Sequence, residues 1–214
     1  MYIPQHFKEP RTDLLQAMMQ KHPLATIVIC DESGLSADHI PLTFRPDGSP
    51  HGMLLGHVAR ANPLWKKAAS GIDCLAVFQG VQGYISPNGY ATKAATGKVV
   101  PTWNYEVVHA TGRLQAVDDA EWLRGFLGEL TAEHEQSQPT AWRIDDAPPD
   151  YIDRMLQAVV GIQIEITGLV GKLKLSQNQP AENKQSLLQA LQAAGNAQSA
   201  DMAAAVRRQI RDGA

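Results

Sequence analysis

Ile162, Ile164 and Ile166 alternate strictly with Gln163, Glu165 and Thr167, the clearest period-two stretch in the chain. Successive side chains of a strand point to opposite faces, so this segment has one apolar face that must be covered by another layer. Gly168 and Gly171 follow, and an alternating pattern resumes over 172–177, which we read as a hairpin turning between the two glycines. Shorter, partly β-branched runs occupy 25–30, 37–44 and 52–58, separated by Asp31-Glu32-Ser33-Gly34 and Pro46-Asp47-Gly48-Ser49-Pro50. These predict antiparallel strands joined by tight turns. Further strands are expected over 74–78, 83–86 and 107–117.

Helices fall between and after the strands. Leu14, Leu15, Met18 and Met19 have helical spacing within 11–22. Asn62 and Pro63 suit an N-cap and first helical position for a helix over 63–70. Asp118-Asp119 with Glu121 opens another that carries Trp122, Leu123, Phe126, Leu127 and Leu130, and one more begins near Pro149-Asp150. Residues 87–101 read as a long exposed loop. The Ala- and Gln-rich stretch 181–214, broken at Gly195-Asn196, predicts two helices in a tail. The fold class is therefore α+β: a small, closed or partly closed antiparallel barrel over 1–180 with peripheral helices, and a helical C-terminal tail over 181–214. The alternating order of a doubly wound sheet and its Gly-x-Gly-x-x-Gly turn are both missing, and Gly97-Lys98 lacks the rest of a P-loop.

With 214 residues, 44% hydrophobic and 19% charged, the composition is that of a soluble globular chain. Cys30 and Cys74 sit far apart in apolar runs, which predicts buried free thiols in a reducing compartment and no disulfide or metal knuckle. No leader pattern or membrane-spanning apolar run is apparent, so a cytoplasmic location is expected. A net charge of -3 argues against direct DNA binding; Arg207, Arg208 and Arg211 in the tail are offset by Asp201 and Asp212.

Two stretches have the chemistry of a ligand site. In 54–65 a strand runs through Gly56, His57 and Arg60 into the capped start at Asn62-Pro63. Helix N-termini stabilise anions, and a guanidinium can hold two phosphate oxygens in a fork. An ordinary strand-to-helix turn explains the same residues equally well. In 171–178, Lys172, Lys174, Ser176 and Asn178 fall on one face of an extended strand and Leu173 and Leu175 on the other. That cationic face suits an anionic ligand, or guards the edge of a sheet against aggregation. Trp103 offers a stacking surface and Asn104 an amide, while His39 and His57 are strand histidines that a core would also accommodate. His134 lacks metal-site spacing, and no metal or catalytic residue is indicated.

The segments Gly56-His57-Val58-Ala59-Arg60-Ala61-Asn62-Pro63, Gln79-Gly80 with Tyr84-Ile85-Ser86-Pro87, Val100-Pro101-Thr102-Trp103-Asn104-Tyr105, and Gly171-Lys172-Leu173-Lys174-Leu175-Ser176-Gln177-Asn178, in this order and with the opening Met1-Tyr2-Ile3-Pro4, resemble the PaiB family of FMN-binding negative transcriptional regulators. The resemblance runs to about residue 191. It implies the FMN-binding split barrel, a homodimer and a flavin at the subunit interface. It further implies that His57, Arg60 and Asn62, beside Gly56, hold the flavin phosphate, and that the strand with His39, Ile40 and Pro41 lines the ring. Trp103 and Asn104 would add stacking and amide contacts, and Lys174, Ser176, Gln177 and Asn178 would complete the pocket. Where the family pattern has Ser-Trp-Tyr after Ser86-Pro87, this chain has Asn88-Gly89-Tyr90, so an aromatic is lost. The resemblance points to a regulatory or redox-sensing flavoprotein. The alternatives are a flavin-dependent oxidoreductase using a nicotinamide cofactor, and a haem-binding split barrel with His39, His57 or His109 as axial ligand.

Overall fold

The computed structural model describes residues 1–212; residues 213 and 214, the end of the expected tail, lie outside the described residues. The strands are β1 (Lys8–Glu9), β2 (Leu24–Asp31), β3 (Gly34–Pro41), β4 (Thr43–Arg45), β5 (Met53–Ala59), β6 (Ile72–Ile85), β7 (Thr102–Val117) and β8 (Val159–Lys174). The helices are α1 (Thr12–Lys21), α2 (Leu64–Lys67), α3 (Thr92–Thr96), α4 (Ala120–Glu135), α5 (Pro149–Gln157), α6 (Ala181–Ala193) and α7 (Ala197–Asp212). The strands form one eight-stranded sheet in the order β3-β2-β6-β7-β8-β5-β4, with β1 added to β8. The path ends at β3 and β4 and is not closed. The α+β reading, with an antiparallel sheet and a helical C-terminal tail, is borne out.

The chain divides into two compact units, and β6, β7 and β8 each run from one into the other. One unit comprises Met1–Met18, Phe78–His109 and the chain from Val170 onward. Its core joins Ile85 of β6 and Leu173 and Leu175 at the end of β8 to Leu187 and Leu188 of α6 and Met202 and Val206 of α7. The C-terminal helices therefore supply much of the apolar surface of this unit.

Tyr90 belongs to the same core at 3% exposure, and its hydroxyl is buried without a hydrogen-bond partner. A desolvated, unbonded hydroxyl costs free energy. Tyr90→Phe is thus expected to leave stability unchanged or raise it by up to about 1 kcal/mol. A lower urea midpoint in the variant would show that the hydroxyl has a partner in solution.

The other unit comprises Met19–Val77 and Ala110–Leu169. Here β2 buries Ala25, Ile27 and Ile29 in strict alternation, and β5 pairs antiparallel with β8 from Met53↔Glu165 to Ala59↔Val159. Asp119 caps α4, its carboxylate accepting from Trp122 N at 2.9 Å, as the acidic opening predicts. Leu123 of α4 packs with Ile152 and Leu156 of α5, and Trp122 stacks on Phe126 with centroids 5.2 Å apart.

Several local expectations are revised. The hairpin expected around Gly168 and Gly171 is one continuous strand, β8. A Cβ at Gly171 would stand 2.1 Å from Leu15 Cδ2, and one at Gly168 2.7 Å from Thr111 Oγ1. These glycines mark close approach and not a turn. Likewise Gln79-Gly80 does not interrupt β6. The stretch 37–44 is two strands, and 87–101 contains a short 3-10 turn and α3. Of the cysteines, only Cys74 is buried, its thiol pushed up to about 11 by burial; Cys30 is exposed. Among the described residues no helix is long and apolar enough to cross a membrane.

Candidate functional site

Of the residues expected to contact flavin, His39, Ile40, Pro41, Gly56, His57, Arg60 and Asn62 lie in the unit built around β5. Trp103, Asn104, Lys174, Ser176, Gln177 and Asn178 lie in the unit containing α6 and α7.

In the first group, β5 ends at Ala59 and delivers Arg60 to the turn, where its backbone N–H donates to Ala158 O at 2.8 Å. The guanidinium grips Asp118 in a fork, Nη1 to Oδ2 at 2.9 Å and Nη2 to Oδ1 at 2.6 Å. It also donates from Nε to Gln157 O at 2.7 Å, and it lies 5.6 Å from the Trp65 ring centroid. Hydrogen bonding to Arg60 holds the Asp118 carboxyl below the ordinary carboxylate range. Asn62 accepts from Leu64 N at 2.8 Å and donates to Asp38 Oδ1 at 2.8 Å. The helix expected over 63–70 is a single turn, α2, beginning at Leu64. The helix starts one residue later than expected, with Pro63 at the N-cap position, and Asn62 bonds Leu64 N from just outside it. So short a helix contributes little field of its own, and the anion-holding capacity here rests on Arg60.

Gly56 is small because its neighbours demand it. A Cβ there would meet Leu42 Cδ2 at 2.8 Å and the Pro41 carbonyl at 3.1 Å. His57 is half-buried, its ring 6.4 Å from that of Phe126, and burial lowers its pKa below the ordinary histidine value. His39 and Pro41 are exposed on β3, while Ile40 between them is buried.

In the second group, Asn104 and Ser176 are buried against each other. Asn104 Nδ2 donates to Ser176 Oγ at 2.9 Å, and Ser176 holds a left-handed backbone at φ 65°. Gln177 bonds locally, accepting from Leu175 N at 2.7 Å, whereas Asn178 is exposed. Lys174 Nζ donates to Thr102 Oγ1 and to the Trp103 carbonyl, and burial lowers its pKa. Trp103 is 49% exposed and meets Tyr84 edge to face.

One charged pair was not legible in the sequence. Glu106 on β7 is 5% exposed, and its carboxylate accepts from Arg208 of α7. A charge beside the apolar Val107-Val108 signals a buried carboxylate, but nothing local names a partner 102 residues downstream.

The fold is that of the flavin-protein split barrels. The chain matches the structure of the FAD and haem binding protein from Mycobacterium smegmatis with a TM-score of 0.59 at 16% identity, over 88% of this chain and 80% of that one. It matches the flavocytochrome Anf3 from Azotobacter vinelandii with a TM-score of 0.53 at 15% identity, over 80% and 72%. At these identities the likeness is one of fold. Within that class the chain belongs to the family described as "Putative FMN-binding domain", which it matches over residues 1–168. It is 29% identical over 204 residues to the Protease synthase and sporulation protein PAI 2 of Bacillus subtilis (strain 168), covering 95% of each chain. An uncharacterized protein of Emericella nidulans is 31% identical over 212 residues, covering 83% of this chain and 84% of its own. The PaiB-family resemblance is borne out, and the cofactor of the family is FMN. The oxidoreductase and haem alternatives are not favoured.

Proposed function

We propose that this protein binds FMN as a cytoplasmic homodimer with the flavin at the subunit interface, and acts as a PaiB-like negative transcriptional regulator or redox sensor. The observation that carries the reading is the family match over residues 1–168. The chemistry of the residues supports it. Arg60 is a forked donor at the exposed end of a strand, suited to a phosphate monoester, and half-buried His57 and the strand with His39, Ile40 and Pro41 are available to the ring. Trp103, Asn104, Lys174, Ser176, Gln177 and Asn178 are the further residues that the family resemblance assigns to flavin. Bound FMN would supply a reversible redox centre, and the protein its binding and electrostatics. With a net charge of -3, the regulatory step proceeds without selective operator binding by this chain.

The test is a titration with FMN and with riboflavin, followed by quenching of flavin fluorescence, with the oligomeric state measured by light scattering. Binding that prefers FMN, to a dimer, is the expected result. Binding of neither flavin, or a monomer that binds FMN fully, overturns the reading. A salt-dependent, sequence-selective shift of promoter DNA would overturn its last part.

A further inference from the structure

Lys172 and Lys174 stand two residues apart on β8, so both side chains leave the same face of the strand. Across the ladder Lys172 is paired directly with Lys8 of β1, a juxtaposition of like charges that weakens a sheet unless something compensates it. No carboxylate does so: among the described residues Lys8, Lys172 and Lys174 form no ion pair. Lys172 Nζ donates to the Tyr2 carbonyl at 3.2 Å and lies 5.7 Å from the Tyr2 ring centroid and 5.3 Å from that of Tyr105. At Lys172 the side of β8 is covered by β1, so this lysine guards no open edge, whereas Lys8 stands on the outer strand β1.

A cavity of about 220 Å³ is lined by Gln79 and Gln82 of β6 and by Trp103, Tyr105 and Glu106 of β7. Two of these residues also touch the lysines: the Tyr105 ring meets Lys172, and the Trp103 carbonyl accepts from Lys174. Trp103 and Tyr105 thus lie between the cavity and the lysines. Arg208 engages Glu106 Oε1, and a Cβ at Gly80 would stand 3.0 Å from Oε2, so glycine leaves the second oxygen uncovered on that side. An apolar cavity of about 150 Å³ holds a benzene ring, and pockets for larger ligands begin at about 300 Å³. This one is large enough for a one- or two-ring group.

We propose that these residues form a second ligand site, for a phosphate monoester carrying a one- or two-ring heteroaromatic, the chemical class of a mononucleotide. The lysines take the phosphate. Trp103 and Tyr105 flank the ring, and Gln79, Gln82 and Glu106 bond its polar edge, with Glu106 held in place by Arg208. The inference goes beyond the flavin reading: it gives Trp103 and Lys174 to this second ligand and leaves the flavin phosphate to Arg60.

The test uses the full chain in phosphate-free buffer, with adenosine 5′-monophosphate as probe and adenosine as its uncharged counterpart, read by tryptophan fluorescence and calorimetry. The monophosphate is expected to bind at least about tenfold more tightly than adenosine, the scale of one lost charge-assisted contact, with the preference shrinking as salt is raised. Lys172→Gln removes that preference and Lys172→Arg keeps it, which separates loss of charge from loss of fold. Saturating FMN leaves the monophosphate affinity unchanged. Equal affinity for the two probes, no binding of the monophosphate, an unaltered Lys172→Gln variant, or displacement by FMN each overturns the proposal. Binding of the monophosphate by a chain that ignores FMN would leave this site standing and remove the flavin reading alone.

Discussion

Replacing Arg60 by alanine is expected to weaken FMN by about 10- to 100-fold while riboflavin loses little, because only FMN offers a phosphate to the guanidinium. The structure sharpens this expectation. Arg60 is already forked onto Asp118, so a phosphate and a carboxylate compete for the same donors. Asp118→Asn should accordingly tighten FMN and leave riboflavin unchanged, the opposite sign from Arg60→Ala. The pair is half-exposed and contributes little to stability, so both variants should stay folded and the change can be read as binding. Fluorescence titration of the variants with both flavins decides the matter. Equal weakening of FMN and riboflavin by Arg60→Ala would reject the phosphate assignment.

A second large effect is expected from a single methyl group. A Cβ at Gly112 of β7 would stand 2.3 Å from the Glu165 carbonyl oxygen and 2.6 Å from Ile164 Cγ2. The nearer obstacle is backbone within the sheet and cannot rotate away. Overpacking of this kind costs about 1–3 kcal/mol, and a backbone obstacle places Gly112→Ala at the upper end. For a chain of this size that lowers the melting temperature by about 6–12 °C. Gly125 of α4 has nothing within 4 Å of a Cβ, so Gly125→Ala should instead stabilise by about 0.5–1 kcal/mol through helix propensity. Thermal melts of the two variants, made side by side, should move in opposite directions. A neutral Gly112→Ala would mean that β7 and β8 are less tightly apposed than described.

Other glycines mark the limit of what could be read from the sequence. Period-two burial announced β2, β5 and the Ile162–Ile166 part of β8 because one face of each is apolar, and Asp119 announced α4 because a capping carboxylate acts within three residues. Gly168, Gly171 and Gly80 carried the wrong message, since a glycine that permits a turn and one that admits a neighbouring side chain look alike until the neighbour is known. The resemblance carried the family and the cofactor. It could not reveal that Arg60 is matched by Asp118, nor that Asn104 and Ser176 spend their polar atoms on each other. Those partners lie 58 and 72 residues apart, beyond the reach of any local pattern.

The core that joins Ile85, Leu173 and Leu188 to Met202 and Val206 has a consequence for how the chain is made. Its two ends are synthesised more than a hundred residues apart. While the ribosome is still adding α7, Ile85 and Leu173 have no final covering, and closure of that unit waits for the last part of the described chain to emerge. Non-local contacts of this kind fold slowly and leave apolar surface transiently exposed. A nascent chain stalled after Ala193 should therefore be held by chaperones and cut readily by protease, even though all eight of the described strands have already been translated.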